Sequence, residues 1–304
     1  MKRTLIETPD GKAMLSDLQA ALTQTAEAIE ERRAAFFSDP DDVETIHRFR
    51  TNTRALRSLV SFIKPWQNRK QNAEAKEMLK EIVGHTSRLR ELDVFEDQVR
   101  SSPNSSDELI ALCKKEASAE RREVLSALTF RHLTESFSRA MFLCKRVAWK
   151  NRYMEHGLPK SVIQARFDAM AESVKNELAN LDLSDAERTH DVRKRAKRVR
   201  YVAERAKNVL GKDAVDVAKS MNAHQDDLGA ICDARANIRL IDELLRQDVP
   251  DPVARELGLM REQNESLLSN AFEAVRLSQG LCHSPTSALC LSSKRIQSYP
   301  PHSR

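Results

Sequence analysis

Two eleven-residue stretches, HRFRTNTRALR (47–57) and HDVRKRAKRVR (190–200), read as one pattern, H-x-x-R-x-x-x-[RK]-x-x-R. His47, Arg50, Arg54 and Arg57 fall on His190, Arg193, Lys197 and Arg200. At 3.6 residues per turn these positions lie within an arc of ~80° and extend ~15 Å along a helix. The apolar residues match in phase as well: Phe49 with Val192, Leu56 with Val199, Leu59 with Val202, Val60 with Ala203. They form a second stripe centred ~130° from the first. An α-helix with one face in a core and a basic row beside it satisfies both patterns. The chain carries that helix twice.

The rest of the sequence agrees with an all-α fold. Only 7 glycines occur in 304 residues, aromatics are 5%, and no stretch has the two-residue alternation of a strand. Helical periodicity predicts elements over 13–37, from Asp39-Pro40 to Lys64, and over 68–100, 106–128, 132–155, 161–181, 184–210, 213–247 and 252–279. Asp39 is the expected cap of the first basic helix, with Pro40 at its first helical position. Ser184 and Glu187 have capping-box spacing, and Gly211 suits a C-cap. HGLPKS (156–161) is the expected boundary between two halves, 1–158 and 159–281. The Ser/Pro-rich remainder, 282–304, is aperiodic and expected to be disordered.

Charge narrows the function. The chain carries a formal +5, yet 46–57 alone contributes +4 and 190–201 contributes +5, leaving the remainder net negative. Focused positive charge points to an anionic partner. An Arg-rich helix is often only a solvated face with surface ion pairs. Here no acid stands three or four positions on within either row, and the row recurs in phase. Arginine forks match phosphate oxygens, lysine adds a point charge, and histidine adds a donor and, near its ordinary pKa, a charge. Two facing rows would cradle an extended polyanion. Base reading or stacking is not indicated, since Tyr201, at the edge, is the one aromatic on either charged stripe. Five cysteines, an odd number without C-x-x-C spacing, suit free thiols, and no stretch has the length or apolarity of a membrane span. A cytoplasmic protein is expected.

IHRFRTNTRALRSLVSFIKP and HDVRKRAKRVRYVAE resemble the two signature helices of the conserved histidine α-helical domain, CHAD. RELDVF (90–95) and HQDDLGAICDA (224–234) resemble its two acidic elements, and Glu91 and Asp233 follow Arg57 and Arg200 at nearly equal distance. The resemblance spans roughly 10–280. It implies two four-helix bundles related by a pseudo-two-fold axis around a basic central cavity that binds inorganic polyphosphate. By position it implicates His47, Arg50, Arg54, Arg57, His190, Arg193, Lys197 and Arg200, with Lys194 and Arg198 beside the second row. Arg88, Arg90 and Tyr201 are weaker candidates. Ala55, Ser87 and Glu91 depart from the family pattern, which often has a basic residue, a glycine and an aspartate there. No E-x-E-x-K triphosphatase signature occurs, so the resemblance implies a stand-alone binding protein with no cofactor, and polyphosphate granules or polyphosphate-metabolising enzymes as its company.

Two other readings stand beside this one. Nucleic-acid backbones share the electrostatics of polyphosphate. A metal-dependent phosphohydrolase would draw ligands from His190-Asp191, His85, His224, Asp226, Asp227 and Asp233, but six basic residues surround the His-Asp pair and oppose a divalent cation. No P-loop and no G-x-S-x-G elbow is present.

Overall fold

The computed structural model describes residues 9–103 and 105–281; the expected disordered tail, 282–304, lies outside them. The described residues form twelve α-helices and no strand. They are α1 (Pro9–Ser38), α2 (Val43–Ile63), α3 (Arg69–Gly84), α4 (Ser87–Ser101), α5 (Asp107–Thr129), α6 (Arg131–Lys145), α7 (Asn151–His156), α8 (Lys160–Ala179), α9 (Ala186–Arg205), α10 (Lys207–Leu210), α11 (Lys212–Leu244) and α12 (Asp251–Leu281). α2 lies between α1 and α3, and α6 packs on the same two helices. α9 lies between α8 and α11, with α12 on the far side of α11. The hairpin α4–α5 packs on α11 and α12. α2 and α9, the two basic helices, pack directly against each other.

The apolar stripes read from the sequence make this packing. Phe49, Leu56, Leu59, Val60, Val192, Val199, Val202 and Ala203 are all buried in one continuous cluster fed by helices on both sides of residue 158. Burying the valines, leucines and phenylalanine among them is worth ~1.5–3 kcal/mol each. A smaller cluster, including Phe95, Leu240 and Leu257, seats the α4–α5 hairpin.

Local chemistry shifts several expected boundaries. Asp42, not Asp39, caps α2, accepting from the Glu44 N–H at 2.9 Å and the Thr45 hydroxyl at 2.6 Å. Asp185, not Ser184, caps α9 through the Arg188 N–H at 2.9 Å. The expected helix over 68–100 breaks at 85–86 into α3 and α4. The expected helix over 132–155 ends at Lys145, because an extended segment turns back on the α2–α3 connection. There Asn68 N–H donates to Ala148 O at 2.8 Å and Lys150 N–H to Trp66 O at 2.9 Å. The expected helix over 184–210 breaks at Ala206 into α9 and α10, and Gly211 ends α10 at φ +80 as a C-cap.

Gly157, inside HGLPKS, is fixed for two reasons. Its φ is +78, and a β-carbon there would sit 2.6–2.8 Å from the backbone of Gly11 and Lys12. The neighbouring Leu158 N–H donates to Gly11 O at 2.9 Å. Gly157→Ala should destabilise the protein by at least about 2 kcal/mol, read as a lowered urea midpoint.

Candidate functional site

Because α2 and α9 cross in contact, their basic rows face each other. Arg205 of α9 donates to Asn52 Oδ1 of α2 at 2.7 Å, fixing the crossing beside the rows. The rows open into two adjoining cavities of about 980 and 610 Å³. Eight Arg/Lys and four acids line the larger; eight Arg/Lys and two acids line the smaller. Arg54, His190, Arg193, Lys197 and Tyr201 line both and form the wall between them. His47, Arg50 and Arg200 face the smaller cavity, while Arg57, Lys194 and Arg198 face the larger. All ten main sequence candidates therefore converge on this one region. Of the weaker three, Arg90 lines the smaller cavity and Tyr201 both. Arg88 lines neither and is paired with Glu243 at 2.6 Å.

The candidates are not equally available. Arg50 is 5% exposed, and its Nη1 donates to Thr86 Oγ1 at 2.5 Å and Val83 O at 3.2 Å. The break between α3 and α4 exposes these acceptors, so the guanidinium fills the gap that a continuous helix would not have had. Burial, then repulsion from Arg54 and Arg90, pulls Arg50 down to about 9. Arg200 donates to Asn222 Oδ1 at 2.5 Å and lies 3.5 Å from Glu204, an acid one turn beyond the row. Pairing along the helix is therefore not wholly missing, as the row alone suggests. Lys194 pairs with Asp191 at 2.5 Å. By contrast, Arg54, Arg57, Lys197 and Arg198 have no hydrogen-bond or ion-pair partner for their side chains among the described residues.

The rows feel one another. Lys197 is pulled down to about 7 by burial and by Arg193 and the facing Arg54. Arg54 is lowered by burial and then by Arg193 across the gap, against an opposing pull from Tyr201. Arg198 is lowered by burial and by the facing Arg57. His47 is pushed down to about 4 by burial, then by Arg90. His190 is lowered by burial, Lys194 and Arg193. His47 therefore gains its charge only near pH 4, well below the ordinary histidine range, and at neutral pH it is an uncharged donor or acceptor.

Sequence reasoning missed Arg188, Arg195, Arg235 and Arg239, which also line the cavities. Arg188 and Arg195 are on α9 outside the repeated row, and the other two come from α11. Neither the repeat nor the family motifs single them out; in the fold Arg195 meets Glu177 at 2.5 Å, Arg239 meets Glu91 at 2.8 Å, and Arg235 donates to Leu183 O at 2.7 Å. As for a metal, among the described residues no group of three or more His, Cys, Asp or Glu side chains is placed to hold one. Cys113, Cys144 and Cys232 are free thiols. No helix among the described residues is long and apolar enough to cross a membrane.

The sequence profile of the CHAD domain matches residues 20–242. The chain belongs to the CHAD-domain family. That family is known to bind polyphosphate. The crystal structure of the CHAD domain from the plant Ricinus communis is similar at a TM-score of 0.71 and 20% identity, covering 92% of this chain and 96% of that one. PptA from Streptomyces chartreusis is similar at a TM-score of 0.66 and 13% identity, covering 87% and 98%. At these identities the likeness is one of fold. No curated protein matches the sequence.

The departures of this CHAD domain from the family pattern have local explanations. Ala55 is fully buried in α2, so no cation is missing from the cavity wall there, whereas its counterpart Arg198 is exposed to the larger cavity. Ser87 Oγ lies 3.5 Å from Arg50 Nη1 at the helix break. Glu91 reaches across to Arg239 of α11.

The depressed His47 fixes a pH dependence. Its pKa in the fold lies below the ordinary 6.5, so the unfolded chain takes up the proton first as pH falls. Its contribution to stability should decline between pH 6.5 and 4. An NMR titration of the imidazole should show a midpoint near 4, and His47→Gln should flatten this part of the stability–pH curve.

Proposed function

We propose that the protein binds inorganic polyphosphate without turning it over, along the facing basic rows. The observation that carries this reading is the set of unpartnered cations, Arg54 and Arg57 on α2 with Lys197 and Arg198 on α9, held together at two adjoining cavities. Their mutual repulsion is a standing cost that a chain of phosphates removes, since each phosphate offers oxygens that match guanidinium and ammonium donors. The family membership supports the same ligand. An extended ligand suits a path that runs from His47 and Arg50 at the smaller cavity, past Arg54 and Lys197, to Arg57 at the larger. Tyr201 is the one aromatic among the lining residues, which gives bases little to stack on. Polyphosphate granules, or enzymes that make or consume polyphosphate, are where such a protein would meet its ligand.

The deciding experiment is a competition of long-chain polyphosphate against single-stranded and duplex DNA, with orthophosphate as a control. Polyphosphate should bind tightest, with affinity falling steeply as salt rises. Binding of orthophosphate as strong as that of polyphosphate would overturn the extended-ligand reading. Arg54→Ala should weaken binding by about 1–3 kcal/mol. Arg54→Glu with Lys197→Glu should reduce it below detection while circular dichroism stays helical.

Lys197 supplies a pH signature. Free, it titrates near 7; beside bound phosphates its charged form is favoured and its pKa rises. Binding above neutral pH should therefore take up a proton, and affinity should fall as pH rises from 7 to 9. Calorimetry in buffers of different ionisation enthalpy reads the uptake directly, and Lys197→Arg should abolish it.

A further inference from the structure

The two halves treat equivalent arginines in opposite ways. Arg50 and Arg193 share one position of the repeat, and each is met by the acidic element that follows its helix. In the first half the helix break just before that element supplies Thr86 and Ser87, which lock Arg50 in place, while Glu91 turns away to Arg239. In the second half the place of Ser87 is taken by Gly229 and that of Glu91 by Asp233. The Arg193 side chain lies against the bare backbone of Gly229. A β-carbon added there would be 3.3 Å from its Nη2, 3.8 Å from its Nε and 3.9 Å from its Cζ. Its Nη2 is 3.6 Å from Asp233 Oδ1, an ion pair too long for a hydrogen bond. Its Nε is buried without any hydrogen-bond partner. Arg193 also belongs to the wall shared by both cavities.

A partly buried guanidinium with an unused donor and a distant counter-ion is held in place but not satisfied. We propose that Gly229 and Asp233 are positioning residues for Arg193: the glycine lets the guanidinium lie flat on α11, and the aspartate stands in for a ligand phosphate until one arrives. The ligand then takes the unused donor and displaces Asp233. Arg193 becomes the gripping residue of the pair, and Arg50 a pin of the fold. The assignment names roles within the polyphosphate site and rests on that reading for its ligand.

Two sets of measurements test it. The first needs no ligand. Reaction of the folded protein with an arginine-directed dicarbonyl, followed peptide by peptide by mass spectrometry, should show Arg193 modified at least threefold faster in Asp233→Asn and in Gly229→Ala, with Arg50 unreactive throughout. No change at Arg193 in either variant overturns the proposal, whatever the protein binds. The second uses long-chain polyphosphate. Asp233→Asn should bind about threefold to tenfold more tightly than wild type, because a competing anion is gone; a residue serving only the fold would not strengthen binding. Gly229→Ala should weaken binding at least fivefold in the wild-type background but less than twofold with Arg193→Lys, whose unbranched ammonium needs no flat surface. Equal losses in both backgrounds, or weaker binding by Asp233→Asn, overturn the assignment. Failure of wild type itself to bind polyphosphate would instead refute the ligand, leaving the reactivity result to decide the positioning.

Discussion

Like charges held face to face are the constraint on which this structure depends. Arg54 with Arg193 and Lys197, and Arg57 with Arg198, repel one another across the α2–α9 crossing. Nothing in the rows themselves would bring them together. The apolar stripes do, with Phe49, Leu56, Val192 and Val199 fully or almost fully out of water at the back of the same two helices. The hydrophobic contribution from that stripe opposes the repulsion, and the phase between stripe and row decides where the repulsion is stored. At Lys197 the affinity for protons is lowered by burial first, and then by repulsion from Arg193 and the facing Arg54.

The surrounding elements keep the arrangement from relaxing. Arg50 plugs the break between α3 and α4, so α2 is tied to its neighbour at the row itself. Arg121, inside α5, donates to Pro40 O at 2.8 Å and to buried Asp93 at 2.7 Å, fixing the entry to α2 against α4. Asn237 of α11 donates to Gln98 of α4 at 2.7 Å, and Asn264 of α12 joins the same buried cluster. Directional contacts of this kind specify one geometry, which apolar packing alone would leave looser. A cavity lined by cations needs that rigidity, because mobile side chains would otherwise spread apart.

Much of this was legible in the amino acids. Periodicity alone gave the helical class, and phase alone put Phe49 and Val192 inside and Arg54 and Lys197 beside them. The facing of the rows was not legible, since one helix cannot report which other helix it crosses. The breaks at 85–86 and 146–150 were missed for a related reason. Gly84 alone marks the first and no glycine or proline the second; both are stabilised by tertiary partners, Arg50 in one case and the Asn68–Ala148 pairing in the other. Arg235 and Arg239 escaped notice because α11, read by itself, is a mixed-charge surface. Arg50 was read as one more free cation because burial of a charged group depends on the hole it enters.

The wall shared by the two cavities has a consequence for how ligands add up. An anion seated on one side of Arg54, Arg193 and Lys197 lowers the positive potential on the other side as well. Two separate small anions therefore compete for the same field, and the second binds more weakly than the first. Two segments of one chain face the same competition, but the second arrives at the high effective concentration set by its tether. On the proposed reading the site would favour connectivity over charge: a ligand would gain from length only while it remained a single molecule, and cutting it in two would sacrifice affinity without removing a contact.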